Sequence, residues 1–224
     1  MRYAVLGATG PTGQELIKQS LTKGHQVVAI GRRPEAFPKE VLDNPNFTSV
    51  KGDVFSSESL SENFNNCDVV LSALGVHANS SPFKSTTNFY LPSIKAIVDG
   101  MKIAGARRLV AMISCFTDDS DPNLSAGRRC FVKPAVSFFI RGHLNDMRQM
   151  EEYLATEKAT IDYTVVRPPG LKFGPVTDKE IFAVDEAQLV PGKAFFIDRS
   201  DVARFMVDAA ETGKHVHKCV AIAV

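Results

Sequence analysis

Three observations on the 224-residue chain predict an α/β fold with a doubly wound, mostly parallel sheet in a single domain. Short apolar runs alternate with longer amphipathic ones, the pattern of βα units wound around a sheet. One run, Leu109–Ser114, is almost continuously apolar, as expected of a strand buried on both faces. A glycine-rich turn separates the first strand-like run from the first helix-like one. The length suits one domain with a substantial core, whereas two domains would each be small.

Taken in order, Tyr3–Leu6 is the first strand, Gln14–Lys23 a helix that Gly24 stops, and Gln26–Ile30 the second strand. After a proline-rich link, Phe47–Lys51 is the third strand and Ser57–Asn66 a short helix opening on a Ser/Glu cluster. Asp68–Leu74 is the fourth strand. Asn88–Ala104 is a long helix that tolerates Pro92 only in its first turn. Leu109–Ser114 is the fifth strand, and Thr117–Pro134 a long polar loop of the kind that usually has a function. Val136–Lys158 is helical, Asp162–Val166 the sixth strand and Arg167-Pro168-Pro169-Gly170 a rigid turn. Lys193–Ile197 is a strand, Ser200–Thr212 a helix with Ser200 as N-cap, and Cys219–Val224 the last strand. One domain spans residues 1–224, and the loops at about 114–135 and 167–192 supply the substrate region. There is no internal repeat.

With 44% apolar residues, 23% charged residues and a formal charge of +1, the chain lacks the basic footprint of a nucleic-acid or anionic-membrane binder. The four cysteines, Cys67, Cys115, Cys130 and Cys219, are scattered without a CxxC pair. That argues against a zinc site or a disulfide framework and for a reducing compartment. The first residues hold only a short apolar run, too short for a signal peptide, and no stretch reaches transmembrane length. A cytoplasmic protein is the expectation.

The turn Gly7-Ala8-Thr9-Gly10-Pro11-Thr12-Gly13 is GxxGxxG, a relative of the dinucleotide fingerprint. Its glycines let the backbone approach a pyrophosphate without a Cβ collision. The helix start adds unpaired N–H groups and a positive dipole end, and Thr9 and Thr12 add hydroxyls. A Rossmann-type cofactor domain follows, against the alternative of a ligand-free glycine turn. At the end of the second strand, where NAD-preferring sites carry an acid, stand Arg32 and Arg33. Two guanidinium groups suit a 2′-phosphate and favour NADPH, the alternative being a solvated basic loop. Asp53 and Val54 follow the third strand, where a carboxylate and backbone could meet the adenine. The alternative for Asp53 is a plain turn-former. Leu74 and Gly75 end the fourth strand, among small residues that let the backbone approach the cofactor.

No tyrosine is followed four residues later by lysine: the partners are Gly7, Ile94, Glu157 and Arg167. The Tyr-Lys acid–base pair of ordinary carbonyl reductases and sugar epimerases is therefore missing. There is no GxSxG elbow of a hydrolase and no HExxH metal motif. Ser114, at the end of the fifth strand, is a candidate for contact with the reacting groups, or a serine that only bonds the next turn.

On Gly7–Gly13, Arg32, Gly52-Asp53-Val54, Leu74-Gly75, Ile113-Ser114-Cys115-Phe116, Arg167-Pro168-Pro169 and Ser200-Asp201-Val202-Ala203, the chain resembles the flavin reductase/biliverdin-IXβ reductase family of atypical short-chain dehydrogenases. The resemblance runs over nearly the whole length. It implies a small monomer that passes hydride from NADPH to a stacked planar acceptor, a flavin or a linear tetrapyrrole, with the flavin a substrate rather than a prosthetic group. It places Ser114 beside the nicotinamide, and Phe116, Pro168 and Pro169 along the pocket. The chain departs from the family at two pocket histidines: Gly170 and Met147 stand there, with His143 one helical turn earlier as a substitute. Arg167 could meet an acidic group of the acceptor or pair with Asp146 or Glu151, and pairing is the favoured expectation. A non-catalytic NADP(H)-sensing regulator similar to the NmrA-like proteins is the rival reading.

Overall fold

The computed structural model describes residues 1–75, 88–117 and 133–224, with side chains outside 133–142. Its strands are β1 (Arg2–Leu6), β2 (Gln26–Gly31), β3 (Phe47–Lys51), β4 (Val69–Ser72), β5 (Arg108–Met112), β6 (Asp162–Arg167), β7 (Gly170–Lys172), β8 (Phe182–Asp185), β9 (Phe196–Asp198) and β10 (Lys218–Ala223). The helices are α1 (Pro11–Thr22), α2 (Lys39–Leu42), α3 (Ser57–Phe64), α4 (Tyr90–Ala104), α5 (Lys133–Thr156) and α6 (Arg199–Thr212).

The main sheet has the order β3-β2-β1-β4-β5-β6-β10-β8, parallel throughout except for β8 against β10. This is the doubly wound Rossmann-type arrangement, with its switch point between β1 and β4. Strand periodicity sorts the core into two layers. Ala4 and Leu6 pack with Leu60, Ile97, Met101 and Leu154 of α3, α4 and α5. Tyr3 and Val5 pack with Leu16 and Ile17 of α1 and Val202 and Met206 of α6. β1 is therefore buried on both faces, and its exit is fixed from both sides.

The helices end where their residues require it. Pro11 sits at the first position of α1, where its missing N–H costs nothing, and this starts the helix earlier than Gln14. Gly105 at φ +75° closes α4 in the left-handed region. The start of α4 is capped from another helix: Asp146 accepts from the amides of Phe89, Tyr90 and Leu91 at 2.7, 2.7 and 3.0 Å.

Several expectations are corrected. Ser200 is not an N-cap; Asp198 holds that position, and the Ser200 hydroxyl donates instead to the Gly174 carbonyl at 2.9 Å. The strand expected at Lys193–Ile197 lies at Phe196–Asp198 and pairs with β7 in a separate two-stranded parallel ribbon. Gly170 belongs to β7 rather than only to a turn. The fourth and fifth strands stop at Ser72 and Met112, so the residues beyond them leave the sheet at its carboxyl edge. β8 was not read from the sequence: its apolar stretch is only Ile181 to Val184, and the strand closes on the exposed Asp185 at the sheet edge. Pro134 lies in the first turn of α5, where proline is tolerated. The rest of the long Thr117–Pro134 loop, from 118 to 132, falls outside the described residues.

Candidate functional site

The glycine turn is built by close approach. Gly7 takes φ +71°, and a Cβ there would run into the carbonyl oxygen of Ala73, just past β4. A Cβ on Gly13 would strike the Gly7 carbonyl oxygen, so α1 can lie against the turn only without a side chain at that position. The Gly10 amide closes the turn onto the Gly7 carbonyl at 2.9 Å. Gly10 caps α1 without a side chain, and the first turn of the helix holds no acid. The amides of Thr12 and Gly13 then have no partner within the helix. A cradle that a Cβ would fill, at a helix N-terminus free of negative charge, fits a pyrophosphate.

Around this turn lies a cavity of about 340 Å³. Residues Gly7 to Thr12 form its floor; Ile30, Gly31 and Arg32 lie at the end of β2; Gly52 to Phe55 follow β3; and Ala73, Leu74 and Gly75 follow β4. Phe89 and Met112 complete the lining. The cavity is thus lined from the carboxyl ends of the neighbouring strands β3, β2, β1, β4 and β5.

Of the two arginines expected at the 2′-phosphate, only Arg32 lines the cavity; Arg33 is exposed beside it, outside the lining. Asp53 faces the cavity and also forms its own turn, its Oδ1 accepting from the Phe55 amide at 3.0 Å. Val54, Leu74 and Gly75 line the wall as expected of small or apolar backbone-exposing residues. Sequence reading missed Phe55 and Phe89, whose rings meet edge to face at 5.6 Å. The only signal for Phe55 was its place directly after Gly52-Asp53-Val54.

The expected acceptor residues lie beyond the Met112 end of the cavity. Ser114 is half-buried, two residues past β5, where the Ile113 amide still bonds the Val166 carbonyl at 3.0 Å. Phe116 is 1% exposed at φ +69°, stacked on Phe195 at 6.0 Å, so its ring is a core element and not an open floor. Pro168 and Pro169 are likewise buried and outside the cavity lining.

Arg167 is 6% exposed, and the geometry supports the bridge over the substrate contact. Its Nε donates to Glu151 Oε1 at 2.6 Å and its NH1 to the Ala187 carbonyl at 3.1 Å. The other Glu151 oxygen accepts from the Thr117 hydroxyl at 2.9 Å. Burial works against the Arg167 charge, but the hydrogen bond and charge of Glu151 outweigh it and raise its pKa. Beneath them, burial and the Glu151 charge push the Cys219 thiol up, leaving it protonated.

His143 is 9% exposed and meets the Tyr90 ring edge to face at 6.4 Å. Burial lowers its pKa, with the Asp146 charge acting the other way. The Tyr90 hydroxyl in turn lies 3.9 Å from where a Cβ on Gly75 would be, so this histidine stands one side chain behind the cavity wall. Met147 is part of the core. Among the described residues no group of histidines, cysteines and acids could hold a metal ion, and no helix is long and apolar enough to cross a membrane.

A parallel sheet that reverses its winding at the glycine turn, with a cavity lined by that turn at the same point, has the arrangement of a dinucleotide-binding protein. The chain belongs to the NAD(P)H-binding family, whose model matches residues 7–212. A chloroplastic protein of Arabidopsis thaliana of uncharacterised function is 27% identical over 92% of this chain and 70% of its own. The chain spans 60–70% of the length of several curated relatives that it matches. The fold is shared with a short-chain dehydrogenase/reductase of Veillonella parvula solved in complex with NADP (TM-score 0.78, 17% identity, 100% of this chain and 94% of that one). It is shared equally with the anaerobilin reductase ChuY of Escherichia coli O157:H7 (TM-score 0.74, 20% identity, 100% and 97%).

Proposed function

We propose that the protein is an NADPH-dependent reductase of a flat conjugated acceptor, a free flavin or a linear tetrapyrrole. The observation that carries this reading is the course of the cavity. It starts at the cationic Arg32, passes the phosphate turn and ends at Met112, two residues ahead of Ser114. A cofactor laid along it would have its 2′-phosphate on Arg32 and its pyrophosphate on the α1 amides. Its reactive ring would then lie at the exits of β5 and β6.

NADPH, when bound, supplies hydride, and the acceptor draws its remaining proton from solvent. The chain's own part is to bind and orient: Gly7–Gly13 anchor the phosphates, and Leu74 and Gly75 leave room along the wall. Ser114 offers a hydroxyl where the acceptor would stack. No Tyr-x-x-x-Lys pair exists to protonate a carbonyl, which suits an acceptor whose reduction depends on stacking and orientation. Two proteins of similar fold, one solved with NADP and one an anaerobilin reductase, support this reading.

The test is NADPH oxidation, followed by its absorbance, with FMN as acceptor and a flavin-free control. Saturable, protein-dependent oxidation is expected. A flat trace from protein that still binds NADPH would sink the reductase reading and favour a cofactor sensor.

A further inference from the structure

The β7–β9 ribbon carries an aromatic side chain that cofactor binding leaves unused. We propose that Phe196 is the stacking platform for the flat ring system of the acceptor, and so a specificity-determining residue. The proposal rests on the reductase reading and supplies the acceptor contact it lacks.

Phe196 opens β9, where it pairs with Gly170, the residue directly after Pro168-Pro169 at the exit of β6. Its ring fills the space that a side chain at position 170 would need: a Cβ there would lie 2.7 Å from both Cδ1 and Cε1. Ile197, the next residue, is buried in the layer formed with α1 and α6. Strand neighbours face opposite ways, so Phe196 is turned from that layer, and 59% of it is exposed.

Single exposed apolar residues are common on protein surfaces. This one ends a fixed aromatic series. Phe195 meets it edge to face at 5.5 Å, and Phe195 is itself stacked on the buried Phe116, with the rings at 24°. The Gly170 amide donates to the Phe195 carbonyl at 2.8 Å, which ties the backbone of both phenylalanines to the Pro-Pro turn. The series therefore links Phe116, two residues beyond Ser114 past the exit of β5, to Phe196, which pairs with Gly170 past the exit of β6. Its open end presents a phenyl ring held by its neighbours, and aromatic rings pair favourably in offset or edge-on geometry with centroids about 4.5–7 Å apart. A planar conjugated acceptor is the ligand chemistry that matches it.

Riboflavin is the probe, because stacking on an aromatic side chain quenches its fluorescence. It is titrated into protein saturated with NADP⁺. Phe196→Leu is expected to weaken riboflavin binding about two- to tenfold, the loss of one good ring contact, while NADP⁺ affinity holds. Phe196→Trp is expected to retain binding. Gly170→Ala, which displaces the ring without altering its chemistry, is expected to weaken binding in the same direction. Equal riboflavin affinity in wild type and Phe196→Leu would overturn the platform, as would a wild-type protein that does not bind riboflavin. 1,4-Benzoquinone, a compact two-electron acceptor that takes up hydride and a proton to become hydroquinone, separates the two ideas. Its reduction by NADPH should survive Phe196→Leu; if riboflavin binds through Phe196 but no acceptor is reduced, the reductase reading fails and the platform stands as a ligand site.

Discussion

Arg167 and Glu151 form a buried ion pair, Nε to Oε1 at 2.6 Å, one residue ahead of the Pro168-Pro169 turn. Glu151 comes from α5 and holds Thr117 with its second oxygen, so one carboxylate ties together the exits of β5 and β6. Removing one member of a buried pair leaves the other charge uncompensated, which costs about 3–5 kcal/mol. Glu151→Ala and Arg167→Ala should each lower stability by that order, read from urea unfolding. The double replacement Glu151→Leu with Arg167→Met should cost less than the sum of the single losses. Additive losses would show that the two side chains do not act as a pair.

Asp146 does for α4 what a local N-cap does for other helices. Three amides converge on its carboxylate, and cap removal costs about 0.5–2 kcal/mol. Asp146→Ala should lose at least the upper part of that range, with Asp146→Asn in between because its amide oxygen still accepts. Thermal unfolding distinguishes them, and a neutral Asp146→Ala would show that water replaces the cap.

Of these two contacts, only the cap by Asp146 lay beyond sequence reading. The glycine turn was legible because the constraint is written in residue type: only glycine fits where a Cβ would strike Ala73 or the turn itself. The mostly parallel sheet followed from the alternation of apolar and amphipathic runs, while its strand order did not. Asp146 lies 56 residues from the amide of Tyr90, and that cap leaves no periodic trace. Arg167 was expected to pair with Asp146 or Glu151, and the structure selects Glu151. The β7–β9 ribbon has strands of three residues each, too short for a period-2 pattern to show. Phe196 was invisible as a site residue for that reason: its neighbourhood is made by the pairing, not by the sequence around it.

His143 is kept neutral by burial, so its folded pKa lies below the ordinary value of 6.5. As pH falls through 6.5 the unfolded chain takes up a proton at this residue before the folded one does. Its contribution to stability is therefore whole above that pH and declines below it. His143→Gln should flatten the stability profile on the acid side, measured by urea unfolding across a pH series. Nuclear magnetic resonance of the imidazole should show it titrating below 6.5 in the native protein. A normal or raised value would mean that the Asp146 charge, not burial, governs this histidine.

Arg32 and Arg33 are adjacent in sequence but differ in place: the first lines the cavity at the end of β2, and the second does not. A guanidinium on a 2′-phosphate makes charge-assisted hydrogen bonds worth about 1.5–3 kcal/mol, a factor of about ten to a hundred in affinity. Arg32→Ala should therefore lower the NADPH:NADH affinity ratio by roughly that factor, mainly through weaker NADPH binding. Arg33→Ala should change it less than about threefold, since a charge outside the cavity acts only through screened solvent. Isothermal titration of both cofactors into both variants reads the ratio directly. An unchanged ratio in Arg32→Ala would remove the 2′-phosphate from this corner. Equal losses from the two variants would show that the phosphate is held by the field of the loop and not by one side chain.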